Sequence, residues 1–318
     1  MLRSLLAASP VLILAVPSLG RLGADGPPPT VRRLAPGVYA AIGDTGRGAE
    51  GQPNAAFVVT DSGVVIIDAE PSPAHAQRLA GAIRSVTPRP IKWVILTHHH
   101  PDHHFGTSVF RRMGARVMAH PDRRMLAAEA GEDALLADWV RVVGLDAMRG
   151  FEFANKPDRP VAGTDTLRLG NQALVVTHPG AGHSPGDLLV WLPRERVLFA
   201  GDVLIEDGVT MMVDGSSAEL LRALAVIDSL DPTTNLPGHG SIPRRPRDLV
   251  AQTREYVTGL RLSMRTAIER GAPMGRALQS LPPADESRPV SLNSRRRRNA
   301  VRVYLEEERI YMGLDSTP

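Results

Sequence analysis

Apolar residues in this chain occur in short continuous runs that alternate with longer periodic stretches. Runs rich in β-branched residues, such as 55–60, 64–68 and 91–96, are typical of strands that are buried on at least one face. The stretch 73–86 has helical periodicity and follows Ser72, which is suited to be an N-cap. Strands that alternate with helices predict an α/β fold.

Predicted strands and helices continue to alternate up to about residue 245, after which the pattern is helical. We expect further strands at 31–42 (a hairpin), 115–119, 165–169, 174–178, 188–192, 197–200 and 233–236. We expect further helices at 104–113, 122–130, 134–143 and 218–230. From Pro246 onward the pattern is helical, with helices expected at 248–270, 274–281 and 294–312. The chain therefore divides into a mixed part at 31–245 and a helical extension at 246–318.

The first 24 residues have the pattern of a secretory signal peptide. A positively charged start is followed by an apolar stretch and then by small residues. Two prolines interrupt the apolar stretch, which is too short to span a bilayer comfortably. We predict that residues 1–24 are a signal peptide and that the protein is periplasmic or secreted. If the segment stays uncleaved, it would anchor the protein to the membrane.

The composition limits which metal ligands and which partners the protein can have. The 318 residues include no cysteine, so a metal site must use nitrogen and oxygen ligands. The net charge is +3, and much of the basic excess lies in the C-terminal part, so we expect no nucleic-acid partner. Arg295 to Arg298 either form a solvated basic face or contact an acidic partner or anionic lipid headgroups.

A dense group of histidines follows the apolar run 91–96. His98, His100, Asp102 and His103 have the spacing H-x-H-x-D-H. Neutral imidazoles are the commonest protein ligands for metals, and they suit divalent ions such as zinc. Side chains two residues apart in an extended segment point the same way, so His98 and His100 can face one ion while Asp102 and His103 face another. The alternative is a solvated histidine-rich loop.

Three candidate ligands downstream favour the metal interpretation. His183 lies in GAGHSPGD, Asp202 in FAGD and His239 in LPGHG, each at a strand end or in a glycine-flanked turn. We treat His99 and His104 as non-ligands. Asp68, which ends the strand 64–68, either supports the ligand loop by hydrogen bonds or serves as a turn residue.

Together, these motifs resemble the metallo-β-lactamase superfamily over roughly residues 35–245. The resemblance implies an αββα sandwich at 31–245 with a dinuclear metal site at one edge of its two sheets. It also implies how the ligands divide: His98, His100 and His183 on one ion, Asp102, His103 and His239 on the other, and Asp202 bridging.

The resemblance implies a metal-dependent hydrolase. Two ions about 3.5–4 Å apart can share a water and lower its pKa. We expect a dinuclear zinc enzyme whose metal-bridging hydroxide attacks the acyl bond of an ester, thioester, lactone or β-lactam. Asp102 is the catalytic candidate, because it would orient the nucleophile and pass a proton to the leaving group. Iron or manganese remains open, since both accept imidazole and carboxylate ligands.

The combination of His103 with Asp202 resembles thioester, lactone and ester hydrolases such as glyoxalase II. The motifs HHHPDHHFG and GHSPGDLLVW, the signal and the helical tail resemble exported zinc hydrolases of quinoprotein-relay and sulfur-oxidation systems. We expect a small-molecule substrate, at most weak β-lactamase activity, and homo-oligomers through the C-terminal helices. A phosphodiesterase or nuclease, an iron-dependent oxidoreductase and a non-catalytic metal-binding module are the alternatives.

Overall fold

The structure is a computed structural model that describes residues 28–45, 52–122, 132–153, 156–282 and 290–315. The predicted signal peptide at 1–24 lies outside these residues, as does the predicted helix at 122–130 apart from Asp122. Among the described helices, none has both the length and the apolar character needed to cross a membrane.

Strands and helices alternate through the first part of the chain, and helices follow. The strands are β1 (Thr30–Ala35), β2 (Val38–Ile42), β3 (Ala55–Thr60), β4 (Gly63–Ile67), β5 (Ile91–Ile95), β6 (Arg116–Ala119), β7 (Arg159–Pro160), β8 (Thr164–Leu169), β9 (Gln172–Thr177), β10 (Leu189–Leu192), β11 (Val197–Ile205) and β12 (Thr234–His239). The helices are α1 (Pro73–Val86), α2 (Pro101–His104), α3 (Thr107–Arg112), α4 (Glu132–Val143), α5 (Ser217–Leu230), α6 (Pro246–Glu269), α7 (Met274–Gln279) and α8 (Val290–Tyr311).

The strands form two sheets. One has seven strands in the order β1-β2-β3-β4-β5-β6-β7, and the other has five in the order β12-β11-β10-β9-β8. Antiparallel pairing connects β1 to β4, whereas β4, β5, β6 and β7 are parallel. In the second sheet β11 pairs with β12 in parallel, and the other pairs are antiparallel. The parallel strands bring the loops that follow them to one edge of the sandwich.

Three apolar clusters separate the layers. The cluster between the sheets includes Val65, Ile95, Val176 and Phe199 from their facing sides. A second cluster packs α1 and α3 on the outer face of the seven-stranded sheet, and a third packs α5, α6 and α8 on the outer face of the other sheet. The predicted αββα sandwich with C-terminal helices is therefore confirmed.

The C-terminal helices share their core with the second sheet. Leu198 of β11, Leu224 of α5, Leu260 of α6 and Val303 of α8 belong to one buried cluster. The extension at 246–318 thus packs directly on the sandwich. The boundary between residues 245 and 246 remains a prediction from the sequence.

The ligand loop is more helical than the sequence pattern predicts. One helix was expected at 104–113, but α2 begins at Pro101, and Gly106 separates it from α3. Proline fits the first turn of a helix, because its missing N–H would have no partner there. A Cβ on Gly106 would lie 2.0 Å from the carbonyl oxygen of Ala69, so the chain approaches its neighbour too closely for another side chain.

Asp202 lies within β11, which continues to Ile205 instead of ending at residue 200 as expected. The pairing of β11 with β12 shifts register on both sides of Gly201, whose φ is +51°. Glycine adopts this left-handed backbone at little cost, and an irregularity of this kind can re-aim the next side chain.

Two leucines on α6 test whether the extension and the sandwich unfold together. Leu260 is 7% exposed and lies in the shared core, whereas Leu262 is 64% exposed. We expect Leu260→Ala to lower the free energy of unfolding by about 2–5 kcal/mol through lost burial and a residual cavity. Leu262→Ala should change it by about 0.5 kcal/mol or less.

Urea titrations followed by both circular dichroism and tryptophan fluorescence provide the measurement. Equal effects of the two variants, or an effect of Leu260→Ala confined to a minor separate transition, would contradict the shared core.

Candidate metal centre

Loops that follow strands of both sheets meet at one edge of the sandwich. Asp68 follows β4, and the segment from Thr97 to His103 follows β5 in the same sheet. The second sheet contributes Asp202 from β11, His239 from the end of β12 and His183 from the β9–β10 connection. All seven side chains that the sequence analysis proposed as ligands come together here. Their binding of a metal remains a prediction.

One group consists of His98, His100, His183 and Asp202, whose ligand-type atoms all lie within 4.8 Å of one another. His183 Nε2 is 2.8 Å from His100 Nδ1 and 3.6 Å from Asp202 Oδ2. The His98 ring is centred 4.8 Å from that of His100 and 4.7 Å from that of His183. Three imidazoles and a carboxylate oxygen thus converge on one point.

The other group consists of Asp102, His103 and His239. His239 Nε2 is 3.0 Å from Asp102 Oδ2 and 3.3 Å from His103 Nε2. His103 Nε2 is also 3.5 Å from Asp102 Oδ2. The two groups coincide with the division of ligands that the family resemblance implied.

Asp202 lies between the groups. Its Oδ2 is the atom near His183, while its Oδ1 is 3.2 Å from His103 Nε2 and 3.6 Å from His239 Nε2. A carboxylate whose two oxygens face opposite sides can touch a cation on each side, which is the role expected of a bridging ligand.

The second nitrogen of three histidines has a hydrogen-bond acceptor. His103 Nδ1 donates to Asp68 Oδ2 over 2.8 Å, and His183 Nδ1 donates to the carbonyl of Met211 over 2.7 Å. His100 Nε2 is 3.1 Å from Asp214 Oδ2 and donates to it. These partners hold a proton on the outer nitrogen, so each ring, when neutral, directs the lone pair of its inner nitrogen into the site.

This donor set fits a divalent cation. The inner nitrogens of His183 and His100 are 2.8 Å apart, and two lone pairs at that distance repel unless the two rings share a proton or a metal cation. His98 Nε2 and Asp202 Oδ1 are buried and make no hydrogen bond. Among the described ion pairs, Asp102 and Asp202 have only histidines as partners. Nitrogen and oxygen donors of this kind suit zinc and also iron, manganese or cobalt.

Electrostatics favours the protonation states that metal ligands need. Burial holds the pKa of His98 well below its ordinary value and lowers the pKa of His183 to about 4, so both rings are neutral. Burial raises the pKa of Asp102 and Asp202, but nearby histidine charges outweigh it and hold both carboxyls below their usual range.

His103 behaves differently. Burial lowers its pKa, but the carboxylates of Asp102, Asp202 and Asp68 outweigh this effect and hold the pKa well above its ordinary value. The negative field that attracts a proton to this ring attracts a metal cation as well.

Glycines around the site are required by close packing. A Cβ on Gly238, next to His239, would lie 1.9 Å from Asp202 Oδ1. A Cβ on Gly215 would lie 2.0 Å from the carbonyl oxygen of Gly182, next to His183. Gly238 in LPGHG and Gly215 therefore let the backbone approach the candidate ligands.

Several supporting residues were not found from the sequence. Asp214 and the Met211 carbonyl lie in the loop between β11 and α5. Asn54 is buried and donates to the carbonyls of Pro237 and Gly240, on both sides of His239. No motif or periodicity marks these residues, because their partners are far away in the chain.

Three residues to which the sequence assigns no ligand role have defined contacts in the structure. Asp68 accepts from the Thr97 backbone N–H and hydroxyl as well as from His103, so it supports the ligand loop. His104 is buried and bonds to the backbone carbonyl of His100. His99 forms a further group of ligand-type side chains with His100 and Asp214.

The fold and the site define a two-sheet sandwich with histidine and carboxylate groups at its edge that can hold a metal. The sequence profile of the metallo-beta-lactamase superfamily matches residues 48–239, which is more than half of the chain. The protein belongs to this superfamily, whose members are mostly metal-dependent hydrolases.

Individual relatives agree on the fold. The chain is 26% identical to a metallo-beta-lactamase type 2 from Elizabethkingia meningoseptica over 198 residues, covering 61% of this chain and 70% of the relative. A metallo-beta-lactamase family protein from Thermus thermophilus superposes with a TM-score of 0.65 at 19% identity, covering 88% of this chain and 95% of the other. The stereoselective inverting sec-alkylsulfatase Pisa1 from Pseudomonas sp. superposes with a TM-score of 0.66 at 16% identity, covering 91% of this chain and 52% of the other.

Gly238→Ala tests the packing around Asp202. Because the added methyl group would lie 1.9 Å from Asp202 Oδ1, we expect that carboxylate to be displaced and zinc affinity to fall by about 10–100-fold. Gly81→Ala in α1 is the control, since its Cβ would meet no atom within 4 Å. Competition with a chromophoric chelator measures both affinities. Unchanged affinity in Gly238→Ala would contradict the close packing.

The buried carboxyl of Glu70 should make the stability of the protein depend on pH. This carboxyl is 1% exposed and accepts from Gln52 Nε2 over 2.7 Å, and burial raises its pKa to about 7. The folded protein therefore retains a proton that the unfolded chain releases near the ordinary pKa of 4.5. The stability that this proton contributes is fully present below about pH 4.5. It is lost as the pH rises through 7, which lowers the free energy of unfolding by about 3 kcal/mol in total.

Glu70→Gln removes this dependence. In metal-free protein we expect the variant to gain stability relative to wild type as the pH rises from 5.5 to 8, as measured by urea titration at each pH. Parallel curves for the two proteins would contradict the raised pKa of Glu70.

Proposed function

We propose that this protein is a dinuclear zinc hydrolase that cleaves an acyl bond in a small molecule. The observation that carries the proposal is the position of Asp202, whose two oxygens face the two histidine groups at 3.2 and 3.6 Å. A single metal site would not need a buried carboxylate shared in this way.

The residues that would hold the ions follow from the two groups. One ion would take His98, His100 and His183, the other Asp102, His103 and His239, and both would share Asp202. Bound ions of this kind act as Lewis acids and lower the pKa of a shared water to near neutrality, which supplies a nucleophile without a serine or cysteine.

Asp102 is suited to orient that water. Its side chain is 19% exposed, whereas those of Asp202 and Asp68 are 5% and 4% exposed. Asp102 therefore reaches the solvent side of the site. Its lowered pKa keeps it ionised, so it would accept a hydrogen bond from the attacking water and orient it.

The substrate class rests on the ligand set. Histidine at 103 with a carboxylate at 202 resembles ester, thioester and lactone hydrolases, and a β-lactam is an acyl compound of the same kind. One relative is a metallo-beta-lactamase type 2, and one structural neighbour is a sec-alkylsulfatase, so both substrate types belong in a test. Export, a small-molecule substrate and homo-oligomers through the C-terminal helices remain predictions.

The test combines elemental analysis with a substrate panel. Thioester, lactone, carboxylic ester, nitrocefin, phosphodiester and sec-alkyl sulfate substrates are assayed with zinc-loaded and chelated protein. We expect two zinc ions per chain and turnover of at least one acyl substrate. Chelation or Asp202→Asn should reduce that turnover by about 100-fold or more, because the nucleophile would no longer form.

Asp248→Asn, at an exposed position on α6, is the matched control and should retain full turnover. Undiminished turnover by the chelated protein would contradict the metal mechanism. Turnover restricted to the phosphodiester or the alkyl sulfate would contradict the acyl specificity.

A further inference from the structure

The loop at 206–216, between β11 and α5, accepts hydrogen bonds from the outer ring nitrogens of two candidate ligands. The Met211 carbonyl accepts the hydrogen bond from His183, and Asp214 accepts the one from His100. Both bonds orient rings that converge at 2.8 Å. The position of this loop therefore decides the geometry of the first ligand group.

A residue of the C-terminal helix holds this loop in place. Asn299 of α8 is fully buried, and its Oδ1 accepts from the Met212 backbone N–H over 2.8 Å. Its Nδ2 donates to the Thr210 carbonyl over 2.8 Å and to the Tyr256 hydroxyl of α6 over 3.1 Å. One amide side chain thus bonds to the backbone on both sides of Met211.

The end of the loop is also tied to the C-terminal helices. Ser217, the first residue of α5, donates from its backbone N–H and hydroxyl to Glu306 of α8. Arg261 of α6 bonds to the same hydroxyl. This second anchor lies six residues beyond Met211, whereas Asn299 bonds to the residues on either side of it.

We propose that Asn299 is a positioning residue for the metal centre, acting on His183 through the backbone of Thr210–Met212. The C-terminal extension lies outside the residues 48–239 that match the family, yet through Asn299 it sets how tightly the first ligand group holds an ion. This inference rests on the proposed function, in which that group binds zinc.

The hydrogen bonds of Asn299 explain why its substitution would shift the loop. Replacing Asn299 by leucine, which has a similar volume, leaves the buried Met212 N–H and Thr210 carbonyl without partners. Buried backbone groups without partners are costly, so the loop should shift until water reaches them. The Met211 carbonyl would move with the loop, and His183 would lose its fixed orientation.

The test compares Asn299→Leu with two controls in the full-length chain. Leu260→Ala weakens the same helical layer but removes no hydrogen bond to the loop, and Tyr256→Phe removes only the hydroxyl that Asn299 also contacts. Hydrogen exchange of the loop amides is followed in metal-free protein, and zinc affinity is measured by chelator competition. Asn299→Ser replaces Asn299→Leu if the latter does not fold.

We expect Asn299→Leu to speed exchange at 210–216 and to weaken one of the two zinc sites by about 10–100-fold. Both controls should keep wild-type zinc affinity within about threefold. Unchanged exchange and affinity in the Asn299 variant, or equal losses in Leu260→Ala, would overturn the proposal. A wild-type protein that binds no zinc would instead overturn the proposed function, while the exchange data would still decide whether Asn299 holds the loop.

Discussion

Mutual repulsion among lone pairs and negative charges is the constraint on which this structure depends. The inner nitrogens of His100 and His183 approach to 2.8 Å, and the negative charge of Asp202 opposes that of Asp102 in the same site. Such groups would separate if they stood on flexible loops. They remain together because hydrogen bonds on the outer side of the site hold these groups in position. A divalent cation would neutralise the negative field that results.

The sandwich supplies this support from several directions. Asp68, at the end of β4, holds His103 and the start of the ligand loop. Asn54 holds both sides of the His239 turn, and glycines allow the backbones to approach. Because the two sheets share one apolar core, a shift of one ligand would have to move a strand end against that packing.

The C-terminal helices contribute to the same support. They bury one face against the second sheet, and their polar groups reach the loop that holds His183 and His100. Through these bonds, an extension beyond the family core is placed to influence the candidate metal centre without contacting it.

The sequence by itself determined the fold class and the seven candidate ligands, because strand patterns and the H-x-H-x-D-H motif are local in the chain. Tertiary structure decided the rest. Asp202 lies inside β11, and Pro101 starts a helical turn that the pattern placed later. Asn299 and Met212 are 87 residues apart, so no local pattern could pair them. Hydrogen bonds between distant segments depend on how the layers pack, and only the folded chain specifies that packing.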